Sequence, residues 1–103
     1  MRSIGVPLLV LLAALPAMAE DGVERGRWMA TQLCSSCHTI AAQGPAGRNP
    51  ASPPFPAIAA RANITADRIA AYVRQPHANM PDHGLTARQA QDLAAFILMQ
   101  RPR

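Results

Sequence analysis

The residues with the most specific chemistry are Cys34-Ser35-Ser36-Cys37-His38. Two thiols three positions apart, with an imidazole directly after the second, form the attachment pattern of a c-type haem. On a helical turn, residues i and i+3 share a face, so both sulfurs can reach one porphyrin edge. His38 follows at once and is carried under the ring, where a ring nitrogen can bind iron as the proximal ligand. Other chemistries fit less well. A thioredoxin-like thiol pair belongs beside a βαβ pattern, which this chain lacks. A zinc site needs a second ligand pair; there are no further cysteines, and His77 and His83 are too widely spaced. A short disulfide would leave His38 without a role.

A second set of candidate ligands lies in Pro76-His77-Ala78-Asn79-Met80-Pro81-Asp82-His83-Gly84. Met80 is the leading candidate for the far face of the iron, because a thioether on a short loop braced by Pro81 can be presented there. His77 or His83 in its place would give a bis-histidine iron, and an open sixth position is the third alternative. Met29 and Met99 fall within helical patterns and read as packing residues. The proximal imidazole also needs an acceptor for its other N–H. The loop from Gln43 to Pro56 is dense in proline and glycine, and it reads as an ordered wrap around the haem. Pro53 is the preferred acceptor carbonyl and Pro54 the second, with Phe55 turned inward against the ring.

Helices must position these groups. Asp21, with Glu24 three residues on, forms a candidate cap for a helix from Gly22 to Cys34 or Cys37. Val23, Gly26, Ala30 and Leu33 form its stripe, and the small residues admit a close neighbour. Trp28 lies on the other side; it reads as a partly buried packing residue, with a partner-docking surface as the alternative. A short helical turn is expected at 58–62. Thr65 opens a second helix, stapled by Ile64 and Ile69, with Ile69, Tyr72 and Val73 on its apolar side; it must stop before Pro76. Thr86 and Gln89 form a capping box for the last helix, whose stripe is Ala90, Leu93, Ala94 and Ile97, with Phe96 beside it. That stripe is the natural partner of Gly26, Ala30 and Leu33. The pattern contains no strands, so the fold class is all-α.

The N-terminus reads as an export signal. Arg2 precedes an apolar run from Ile4 to Leu15, Pro16 ends it, and Ala17-Met18-Ala19 is a cleavage site. The run is shorter than the roughly 20 residues of a membrane span. Cleavage would leave residues 20–103 as one small domain that does not span a membrane, located in the periplasm. Its four aromatics make a thin core, and a covalent haem would supply the missing apolar centre, so the unloaded chain is expected to fold poorly. All ten basic residues are arginine, set against six acids, for a net charge of +4. That balance lacks the dense basic stripe of nucleic-acid binders.

Taken together, these pieces resemble the small class I monohaem cytochromes c of bacteria. The resemblance rests on Gly22-Val23-Glu24-Arg25-Gly26-Arg27, the Cys34–His38 motif, Pro53-Pro54-Phe55, Asn79-Met80-Pro81, and Leu85-Thr86 leading into Asp92-Leu93-Ala94-Ala95-Phe96-Ile97. It implies a cytochrome c-like fold of three main helices and haem-wrapping loops, with the first and last helices packed together. Cys34 and Cys37 would then hold haem c, and His38 and Met80 would bind its iron. The implied function is one-electron transport, by a monomer docking transiently with redox proteins. The alternative is a haem sensor or CO/NO binder with a labile sixth ligand. A peroxidase-like enzyme is the third reading; it would need an open iron and a polar distal group, which only His77 or His83 could supply. The family's lysine-rich docking surface does not carry over to a chain without lysine.

Overall fold

The computed structural model describes residues 2–10 and 14–103, and the side chains of 2–10 and 20–103. Its elements are α1 (Ala14–Met29), a π-helical turn (Ala30–Cys34), α2 (Phe55–Ala59), α3 (Ala66–Val73) and α4 (Ala87–Met99). No strand occurs among the described residues. The last helix is the hub, with α1, α2 and α3 all packing against it. Its buried face, Ala90, Leu93, Ala94, Phe96 and Ile97, meets Met29, Ala30 and Cys34 from the α1 side, Phe55 from α2, and Ile69 and Ala70 from α3.

The α1–α4 crossing depends on a missing side chain. A Cβ at Gly26 would overlap the backbone of Asp92 and reach 2.9 Å from Phe96 Cβ. Only glycine lets the two backbones come this close, and the approach seats Phe96 fully inside the core. Burying such a ring stabilises by roughly 1.5–3 kcal/mol. Beside the crossing, Arg25 grips Asp92 through two nitrogens, Nε at 2.8 Å and a terminal NH at 3.3 Å. The Arg27 guanidinium lies 5.0 Å from the centre of the Phe96 ring. Leu93 and Phe96 thus pack on the Gly26 side of α1, as the resemblance implies.

Both later helices start where the sequence predicts. Thr65 Oγ1 accepts from Arg68 N at 3.1 Å. Thr86 Oγ1 accepts from Gln89 N at 3.1 Å, while Gln89 Oε1 accepts from Thr86 N at 2.9 Å, completing the box. Such caps contribute about 1 kcal/mol each.

Several expectations are corrected. In the uncleaved chain Asp21 is not a cap, because α1 (Ala14–Met29) already runs through it. Ala-, Leu- and Met-rich sequence propagates a helix. The short helix spans Phe55–Ala59 rather than 58–62; Pro56 sits in its first turn, where its missing N–H costs little. Trp28 is 65% exposed. It borders a shallow surface cavity together with Arg25, Met29, Gln89 and Asp92, and among the described residues no element closes over it. Met99 and Tyr72 are also exposed, near the ends of helices whose buried residues lie on other faces. In the expected leader, residues 2–10 form no helix and leave Ile4, Val6, Leu8 and Leu9 exposed. The rest of the apolar run and the Ala17-Met18-Ala19 side chains lie outside the described residues.

Candidate haem site

The site is assembled at the C-terminal end of α1. After the π turn the chain tightens again, and Cys34 O accepts from both Cys37 N at 3.2 Å and His38 N at 2.8 Å. This puts Cys34 in the core at 5% exposure and Cys37 at the surface, and neither is in a disulfide. Burial, aided by the neighbouring Cys37, pushes the Cys34 thiol up to about 11. At neutral pH it therefore rests as S–H, a buried thiol held beside the exposed Cys37. Among the described residues no group of three or more His, Cys, Asp or Glu gathers as a metal cluster, so nothing completes a zinc site.

His38 is half-buried, and its Nδ1 lies 2.7 Å from Pro53 O. A carbonyl can only accept, so Nδ1 carries the proton. In the neutral ring Nε2 is then a bare lone pair, the form a metal needs. Phe55, 3% exposed, stands behind this imidazole. Its ring centre is 5.4 Å from that of His38 and 6.3 Å from that of Phe96, which ties the imidazole to the α4 core.

The intervening loop is laced onto the motif. Arg48 N donates to Ser36 O at 3.0 Å and Asn49 N to Cys37 O at 3.3 Å. Phe55 N donates to Thr39 O at 2.8 Å, and Thr39 Oγ1 accepts from Gly47 N at 2.9 Å. Gly47 is pressed so closely on the Cys37 and His38 backbone that a Cβ there would overlap both carbonyl groups. Sequence reasoning missed Gly47, Thr39 and the π turn. Gly47 is one of several small residues in a loop, and a wide helical turn has no residue signature.

Met80 belongs to a separate loop, between α3 and α4. It is half-buried, and its N–H donates to His77 O at 3.1 Å. His77 is engaged elsewhere: Nδ1 lies 2.8 Å from Gln75 O, and its ring centre is 4.0 Å from that of Tyr72. His83 is half-buried on the same loop. The structure thus joins Cys34, Cys37, His38, Pro53 and Phe55 into one continuous network and carries Met80 on another segment.

The donor set fits a covalent haem: two free thiols on one turn, and an imidazole held in the ligating tautomer. Comparison with known proteins agrees. Residues 21–97 match the family described as cytochrome C oxidase, cbb3-type, subunit III. The chain is 32% identical over 102 residues to cytochrome c-552 of Bradyrhizobium diazoefficiens, covering 99% of this chain and 96% of that protein. No solved structure matches the chain. The helical architecture, the cysteine–histidine turn and these matches together place the chain in the family of small monohaem c-type cytochromes, electron-transfer proteins that carry covalently bound haem c.

Proposed function

We propose that this cytochrome is a periplasmic one-electron carrier with haem c on Cys34 and Cys37 and with His38 and Met80 as axial ligands. The observation that carries this reading is the His38–Pro53 bond, which turns a bare Nε2 lone pair outward beside a buried thiol. Bound haem supplies an iron that cycles between Fe(III) and Fe(II). The protein's contribution is to hold His38 in one tautomer, to keep water from the proximal side with Phe55, and to present a thioether from the opposite loop. Thioether ligation and burial favour the reduced state and raise the potential.

Export by the N-terminal leader, with cleavage after Ala19, belongs to the same reading. The periplasmic product would then begin at Glu20, as its mass would report. Its partners would be redox proteins in a respiratory chain, met in brief encounters by a monomer.

Met80→Ala tests the ligand set. It should abolish the weak red absorption band of an iron–thioether bond and lower the potential strongly. His77→Ala and His83→Ala should leave both nearly unaltered. An unchanged band in Met80→Ala would assign the sixth position to another group. Rapid, complete CO uptake by the reduced wild-type protein would favour the sensor reading instead.

A further inference from the structure

The π turn Ala30–Cys34 is wedged between α1 and the cysteine–histidine motif. Such a turn contains one residue more than α winding, so it swings everything beyond it by about 100° around the helix axis. The angular position of Cys34, Cys37 and His38 relative to the α4 contact is therefore set here. Returning from i→i−5 bonding to i→i−4 bonding also leaves one carbonyl with no backbone donor. The return is complete at His38 N, which donates to Cys34 O at 2.8 Å. Thr31 O falls in the stretch where such a carbonyl is left over, and the Ser35 hydroxyl donates to it at 2.6 Å. At the entry to the wide turn the Thr31 hydroxyl donates in the same manner to Arg27 O, at 2.9 Å. Hydroxyls reaching back four residues compete with the regular ladder and bend helices. Here one stands at each end of the irregularity.

We infer that Ser35 and Thr31 are positioning residues that lock the wide turn and thereby fix where His38 stands relative to the iron. Each hydroxyl donates to a main-chain carbonyl rather than to His38. Ser35 acts by occupying the carbonyl that α winding would reclaim, and Thr31 by anchoring the last α-helical turn. The inference rests on the assignment of His38 as an axial ligand.

The test uses the holoprotein. Ser35→Ala should let the turn relax toward α winding, shift the His38 ring N–H resonance, speed its exchange with solvent several-fold and move the reduction potential. Thr31→Val should act in the same direction, more weakly. Ser35→Thr and Thr31→Ser keep the hydroxyls and should restore wild-type values; Gln32→Ala, on the same turn but without such a bond, should be silent. A Ser35→Ala protein with a lowered melting temperature but an unmoved ring N–H signal and potential would overturn the inference, as would an equal effect of Gln32→Ala. If neither Ser35→Ala nor Thr31→Val accumulates, the conservative pair decides: recovery supports the hydroxyl lock, and failure of that pair too overturns it. A wild-type protein with no haem-shifted ring N–H would remove the ligand assignment and this inference together, whereas a wild-type signal that the variants leave in place removes only this one.

Discussion

The two segments that would face the iron are built in opposite ways. On the His38 side, main-chain bonds cross between the motif and the loop after it, Ser36 to Arg48, Cys37 to Asn49 and Thr39 to Phe55, and the His38 side chain adds its own bond to the Pro53 carbonyl. On the Met80 side the bonds are short-range: His77 to Met80, Gln75 to His77 and Asp82 to Gly84. The longest tie there runs from Arg74 Nε to Leu85 O, at 3.3 Å. That loop also holds Ala78 at φ 45°, a left-handed conformation that costs a residue with a Cβ roughly 1–2 kcal/mol. One side is cross-braced before any ligand arrives, while the other is a strap held mainly at its two ends. Local opening follows the density of such ties, so the strap should open first.

Substitutions can break or sharpen this contrast. The largest effect is expected at Gly47→Ala, whose new Cβ would collide with the backbone of Cys37 and His38. It should destabilise the holoprotein by about 2–3 kcal/mol, a typical cost of overpacking, and loosen the His38–Pro53 bond. Chemical denaturation, with the ring N–H followed by NMR, would measure both. Tyr72→Ala comes next. It removes the ring against which His77 packs and should cost about 1 kcal/mol, with faster amide exchange confined to residues 75–84. Pro53→Ala should be milder still, below about 1 kcal/mol, because His38 is held by a main-chain carbonyl that alanine also supplies. An unaltered potential is the check. Ala78→Gly should go the other way and stabilise by up to about 1 kcal/mol, since glycine adopts positive φ without strain. If Ala78→Gly proved as damaging as Gly47→Ala, the two sides would not differ as described.

Much of this was legible in the residues. Thr65, Thr86 and Gln89 announce helix starts because capping is local chemistry between neighbours in sequence. Gly26 announced a close approach because small residues at helical spacing have few other uses. The Cys34–His38 motif is written out in full. Asp21 misled because an acidic residue before a glycine resembles a cap whatever precedes it, and here helix-forming sequence precedes it. Trp28 misled because average burial by residue type says nothing of where one indole sits, here at the open edge of the α1–α4 contact. Gly47, Thr39 and the π turn were invisible because their roles arise only when distant backbone segments meet.

The exposure of Trp28 has a practical consequence, because it is the sole tryptophan of the chain. Its indole already faces solvent in the native state, so unfolding should hardly change the wavelength of its fluorescence. What should change is brightness: a nearby porphyrin drains the excited state, and separation of the two restores the emission. The chain thus carries a built-in ruler from its outer helical surface to its pigment, one that registers distance rather than burial.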